Sequence, residues 1–313
     1  MFRREEPAWH LTVKRPWIQA GVKVSTASSE LEVNRSTLKA FDGTELFTLR
    51  WTSEAAEQST GPVVLLVHGY GEHIERYHEM AGAFVVRQLP VWGFDCRGHG
   101  QSGGRRGHVH DFEYYLKDLQ AVREKVEARW PGRPLVMLGQ SHGGLIVARA
   151  AQRSEAGLAG VVISAPLMGV AVQVPAWKVL LGKVMSKFWP TLSLPNEINP
   201  AHLSRSAEIV EKYAADPLVH RVATARWYTE MLAAQTSALQ DAPKMTLPIL
   251  TLQGDADQIV DPAATRRFAE AVGSKDATFE ELAGCYHEVF NEPERHQLYE
   301  RVMDWLSERF ASA

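Results

Sequence analysis

One stretch, residues 135–149, constrains this chain more than any other. It opens with an apolar run from Leu135 to Leu138, turns through Gly139, Gln140, Ser141, His142 and Gly143, and continues into Leu145, Ile146 and Val147 with a helical pattern. A strand that reverses into a helix within five residues needs glycine on both sides of the turn, because a Cβ there holds strand and helix apart. Ser141 at the tip is forced into strained backbone angles with its hydroxyl presented outward. A serine hydroxyl is a weak nucleophile until a neighbouring base takes its proton, so fixed presentation is what nucleophilic catalysis needs. The helix that follows aims its first N–H groups at any negative oxygen that forms there. The bland alternative is a Gly-rich turn with a bystander serine. A strand before the turn and a helix after it favour the nucleophile.

The rest of the chain frames this turn. Residues 37–41 and 45–52 alternate about Asp42 and Gly43, a hairpin signature. Apolar runs of the buried type follow at 63–67, 91–95, 160–165, 248–253 and 277–282. Between them lie helical patterns at 74–88, 111–130, 262–272 and 292–310. The stripe of 111–130 is Phe112, Leu116, Leu119, Val122 and Val126; that of 292–310 is Leu298, Val302, Trp305 and Leu306. Strands alternating with helices predict an α/β fold with a mostly parallel sheet covered on both faces. The alternation stops at Pro166 and resumes near Met245. Residues 167–245 therefore read as a helical cap (lid), without buried strands, over the carboxyl ends of the sheet, where ligands bind in open α/β folds. The core is then 31–166 plus 246–313. Residues 1–30 read as an extension to which the sequence assigns no role.

Composition narrows the partners. The 313 residues are enough for a large core, and 45% apolar with 23% charged residues is ordinary for a globular chain. A net charge of -3 and no Lys/Arg block argue against nucleic acid. Cys96 and Cys285 give neither a disulfide framework nor zinc spacing, and predict reduced thiols in a cytoplasmic setting. The N-terminus lacks an apolar leader, and no run approaches the ~18 apolar residues of a membrane span. His68, His73, His99, His108 and His110 crowd the loops, yet no metal-ligand spacing accompanies them, so they read as loop hydrogen-bonders. No metal or organic cofactor is expected.

A serine nucleophile needs a base, and the base needs an orienting carboxylate. Behind a turn of this kind the expected order is Ser, then Asp or Glu, then His. His287 follows the last predicted strand and is the expected base. Asp255, Asp257 and Asp261 compete as orienter. Asp261 stands before Pro262 and reads as a helix N-cap, and Asp255 adjoins the strand end and serves to shape the turn. Asp257, deeper in the loop, is preferred. The oxyanion hole is predicted from two backbone N–H groups, His142 after the nucleophile and Tyr70 in the loop after residues 63–67. His142's side chain points away from the serine tip and is not the base.

Five motifs then fall in order: His68 to His73 with Arg76 and Tyr77; Phe94 to Ser102; Gly139 to Gly143; Gln253 to Asp257; and Tyr286-His287. Together they resemble the monoacylglycerol lipase and lysophospholipase branch of the serine α/β-hydrolases, over about residues 35–310. The resemblance implies that family's eight-stranded fold, Ser141, Asp257 and His287 as the triad, and Tyr70 and His142 as N–H donors. It places Glu72 and Arg76 at the polar, glycerol-binding end of the pocket. Two departures stand out: His142 where Met is common after the nucleophile, and Phe290 where relatives carry a polar contact to glycerol.

In the cap, Trp177, Leu181, Val184 and Phe188 share one helical stripe with Lys183 and Lys187 off it. The stripe either packs on the domain or forms a lid that lines an acyl tunnel and touches lipid at its rim. The expected activity is hydrolysis of single-chain lipid esters, first of all monoacylglycerol, through an acyl-serine. Lysophospholipase, general carboxylesterase and peptidase are the enzyme alternatives, and a ligand receptor on a hydrolase scaffold is the non-enzyme one. Membrane contact is expected to be peripheral and through the cap. The sequence does not fix oligomeric state.

Overall fold

The computed structural model describes residues 30–171 and 176–310. The N-terminal extension, apart from Glu30, lies outside the described residues, as do residues 172–175 of the predicted cap and the last three of the predicted core.

The hairpin forms as β1 (Glu32–Lys39) and β2 (Glu45–Thr52). A short α1 (Glu54–Gln58) leads to β3 (Val63–Val67), which is buried along its whole length. A 3₁₀ turn at Ile74–Tyr77 opens α2 (His78–Val86), and β4 (Val91–Phe94) follows. Next come α3 (Glu113–Arg129), β5 (Leu135–Gln140), α4 (His142–Arg153) and β6 (Leu158–Ser164). After an excursion from the sheet the chain returns as β9 (Ile249–Gly254), α8 (Pro262–Ala271), β10 (Ala277–Leu282) and α9 (Arg295–Phe310). Among the described residues these strands make one eight-stranded sheet, ordered β1-β2-β4-β3-β5-β6-β9-β10. The pairings β1–β2 and β2–β4 are antiparallel and the rest parallel.

Side chains alternate across a strand, so the central strands feed two cores. Val63, Leu65, Leu135, Met137, Val161 and Ile163 pack on one face with α3, α4 and α8. Val64, Leu66, Val136, Leu138 and Val162 pack on the other with α2 and α9. The predicted stripes of α3 and α9 are the faces buried here.

The excursion contains α5 (Ala176–Phe188), α6 (Ala207–Ala215) and α7 (Ala225–Gln240). It also contains an antiparallel pair, β7 (Ser193–Pro195) and β8 (Val222–Thr224), where no strand was expected. Three residues are too few to show a period, and Pro195 reads as a breaker. The helix α7 belongs to the core as much as to the cap, since Met231, Ala234 and Ala238 join α4 in one cluster. The α5 stripe is largely exposed. Trp177, Leu181, Val184 and Phe188 are 63%, 49%, 41% and 75% exposed. The opposite face meets α7 instead, where Gly182 sits against the Tyr228 ring and Ser186 Oγ lies 2.7 Å from Thr229 Oγ1. Small residues let two helices approach closely, and that choice turns the bulky residues outward.

Candidate active site

Ser141 joins β5 to α4 at φ 54° and ψ -115°, a backbone conformation that L-residues rarely adopt. Three hydrogen bonds hold it there. Its N–H donates to Ser164 O at 2.9 Å, and its carbonyl accepts from Leu145 and Leu167 N–H at 3.1 and 3.0 Å. The flanking glycines are steric requirements. A Cβ on Gly139 would lie 2.4 Å from Gly143 O, and one on Gly143 would lie 2.1 Å from Val67 O.

His287 follows β10 and is buried with Asp257. Its Nδ1 lies 2.8 Å from Asp257 Oδ2. An ionised carboxylate only accepts, so Nδ1 carries the proton and Nε2 is left as the basic nitrogen. Asp257 accepts further from Gln253 Nε2 at 3.0 Å and from the Ile259 and Val260 N–H groups at 2.8 and 3.0 Å. Burial pushes the Asp257 carboxyl up, but His287 and these donors outweigh it and hold it below the usual carboxylate range. Burial pushes His287 down, and the charge and hydrogen bond of Asp257, with Glu288 and Glu72 behind them, raise it on balance. The competing aspartates are otherwise engaged: Asp261 caps α8 by accepting from Ala263 N–H at 3.0 Å, and Asp255 accepts from Gly284 N–H at 2.6 Å.

The segment around His287 is fixed from three sides. Gln140, the neighbour of Ser141, donates to His287 O at 3.1 Å. Tyr286 N–H donates to Glu292 at 2.6 Å, and Glu288 N–H to Leu203 O of the cap at 2.7 Å.

Tyr70 follows the β3 end and His142 opens α4; among the described residues, neither N–H donates to a backbone carbonyl. The Tyr70 ring stacks on Trp227 at 3.7 Å, and its hydroxyl donates to Val222 O at 2.8 Å, which ties this loop to the cap. The His142 ring is buried against Tyr115 and Tyr70, at 4.8 and 5.7 Å between centroids.

Glu72 and Arg76 are buried in a charge network. Glu72 Oε1 accepts from Gly69 N–H at 2.6 Å and Tyr77 OH at 2.7 Å, while Oε2 pairs with Arg76. Arg76 makes two parallel bonds of 2.7 Å to Glu288, and its guanidinium lies 4.8 Å over the Tyr213 ring. Burial pushes Glu72 up, whereas Glu288, also burdened by burial, is held below its ordinary value by Arg76. Sequence reasoning missed Glu288, Gln140 and Gln253. The available signal for Glu288 was a charge set between His287 and the apolar pair Val289-Phe290.

Of the loop histidines, His68 accepts from Cys96 N–H at 2.9 Å and lies 2.7 Å from Gly69 O. His73 pairs with Asp216 at 2.8 Å, His99 Nδ1 meets Arg97 O at 3.0 Å, and His108 meets Thr224 at 3.0 Å. His110 lies beside the Tyr114 ring. Among the described residues, no group of three or more His, Cys, Asp or Glu is arranged to hold a metal ion.

A strained serine on a strand-to-helix turn and a carboxylate-held histidine at the same sheet edge define a serine hydrolase of the α/β-hydrolase fold. The family profile described as serine aminopeptidase S33 matches residues 58–294, and the chain belongs to that family, in its monoacylglycerol lipase branch. It is 33% identical over 257 residues to the monoacylglycerol lipase of Mycolicibacterium smegmatis, covering 82% of this chain and 90% of that one. It is also 33% identical over 276 residues to the monoglyceride lipase of Homo sapiens, covering 87% and 90%. The crystal structure of Paleococcus ferrophilus monoacylglycerol lipase superposes with a TM-score of 0.76 at 32% identity, covering 84% of this chain and 99% of that one.

Proposed function

We propose that this protein hydrolyses carboxylic esters of single-chain lipids, foremost monoacylglycerol, to fatty acid and alcohol. The observation that carries the reading is the 2.8 Å bond between His287 and Asp257 on the sheet edge that presents Ser141. Ser141 Oγ attacks the ester carbonyl while His287 Nε2 takes its proton. The Tyr70 and His142 N–H groups hold the developing oxyanion. The C–O bond to the alcohol breaks, and the imidazolium returns the proton to the departing oxygen. Water, deprotonated by His287, then attacks the acyl-serine and frees the acid and Ser141. Asp257 stays ionised and stabilises the imidazolium. Glu72 and Arg76 belong to the polar end of the pocket, where they act through the Gly69–Tyr70 loop they hold.

Residues 31–166 and 246–313 serve as catalytic core and 167–245 as cap. The exposed α5 face, with Leu180 at 64% and Phe188 at 75%, and Trp189 just beyond it at 63%, suits shallow burial in a lipid surface. Lys183 and Lys187 flank it, and α5 carries no acidic residue. Among the described residues no helix is long and apolar enough to cross a membrane. Such docking is peripheral, and the buried thiols Cys96 and Cys285 fit a reducing, cytoplasmic setting.

The test is substrate profiling with monoacylglycerols, lysophospholipids, p-nitrophenyl esters and aminoacyl amides, with and without Ser141→Ala. Monoacylglycerol should lead, and the variant should be inactive and fail to label with a fluorophosphonate. Faster turnover of amides or lysophospholipids would reject the substrate class. Equal labelling of Ser141→Ala would reject the nucleophile.

A further inference from the structure

The mechanism above does not use Glu288, yet it is one of the most heavily engaged buried charges in the fold. Its carboxylate takes both terminal nitrogens of Arg76 at 2.7 Å and the Asn291 amide at 2.7 Å. Arg76 also holds Glu72, so one guanidinium serves two buried carboxylates. Stability alone does not call for this arrangement, because each buried carboxylate carries a desolvation cost that a single pair would halve.

The network touches both halves of the site. Gly69 is sandwiched between it and the nucleophile: a Cβ there would lie 2.7 Å from Glu72 Oε1 and 3.4 Å from Ser141 Cβ. At the other end Glu288 is covalently next to His287. The charges acting on His287 are Asp257, Glu288 and Glu72, all negative, and Arg76 is paired with the last two. With the imidazole neutral, negative charge is in excess. A guanidinium already engaged in a bidentate pair with a carboxylate offers no second fork to a phosphate.

Resting on the ester-hydrolase reading, we infer that Glu288 is a positioning residue that cancels the Arg76 charge and restricts the pocket to esters whose leaving alcohol bears no negative charge. Glu288 and Glu72 also raise the basicity of His287, beyond what Asp257 contributes.

The test compares wild type, Glu288→Gln and Glu288→Asp on two matched pairs: 1-butyrylglycerol with its 3-phosphate, and phenyl butyrate with 4-sulfophenyl butyrate. In Glu288→Gln, the neutral-to-anionic ratio of kcat/KM should fall about tenfold, chiefly through KM of the anionic member, as loss of one charge several ångströms away requires. The acid limb of its phenyl butyrate pH profile should move to lower pH. Glu288→Asp should keep the wild-type ratio. An unchanged ratio and unchanged profile in Glu288→Gln, with both substrates slowed alike, would overturn the inference. If wild type cleaves phenyl butyrate and not 1-butyrylglycerol, the monoacylglycerol reading fails while the aryl pair still reads Glu288. If Glu288→Gln does not fold, inhibition of wild type decides: glycerol 3-phosphate must inhibit more weakly than glycerol, and the reverse order refutes the role.

Discussion

Replacing Ser141 with glycine removes the hydroxyl and the Cβ together, and the two losses act on different properties. At φ 54° and ψ -115° the backbone sits where a Cβ is crowded, at a cost of about 1–3 kcal/mol. Glycine relieves that strain but gains about 0.4–1 kcal/mol of freedom in the unfolded chain. The balance is a stabilisation of about 1 kcal/mol, which for a chain of this size raises Tm by about 2 °C. Ser141→Ala removes the nucleophile and keeps the Cβ, so its Tm should stay near that of wild type. Both variants should lose activity, on the order of a millionfold in kcat. Thermal unfolding by circular dichroism, run beside p-nitrophenyl butyrate hydrolysis, separates the effects. If the glycine variant melts no higher than the alanine variant, the turn stores no strain, and the argument that geometry activates this serine fails.

Asp257→Asn leaves His287 without an anion and able to adopt the wrong tautomer, so kcat should fall on the order of 10⁴-fold; a loss under tenfold would mean another group orients the imidazole. Burial holds His68 and His142 down at about 3 and His220 at about 4. The unfolded chain then takes up protons near pH 6.5 that the folded one refuses, so their contribution is intact above that pH and drains as pH falls toward 4 for His220 and toward 3 for the other two, by about 2 kcal/mol per histidine at pH 5. His287, raised on balance by Asp257, opposes part of this. Tm should drop steeply between pH 7 and pH 5 and less so in His142→Leu; a flat Tm would show these rings are hydrated. Arg97→Ala strands Asp118, whose side chain is fully buried and takes two 2.6 Å bonds from that guanidinium. It should cost about 3–5 kcal/mol, measured by urea denaturation, and Arg97→Ala with Asp118→Asn should recover part of it.

Features written in local pattern were legible. The β5–α4 turn follows from two glycines around a serine, the central strands from unbroken apolar runs, and the Asp261 cap from the proline after it. Chain order and loop position predicted the meeting of His287 with Asp257. Strands of three residues carry no period, so β7 and β8 left no trace. The apolar stripe of α5 was visible, but not its direction, since amphipathicity cannot say which face a partner helix will choose.

By itself, then, the sequence determined the α/β alternation and the strained turn, because each is encoded within a few neighbouring residues. Tertiary structure alone decided that Glu288 grips Arg76 across 212 positions of chain and that the α5 stripe faces outward. Such pairings depend on which surfaces meet after the sheet has closed, and a linear pattern holds no record of that.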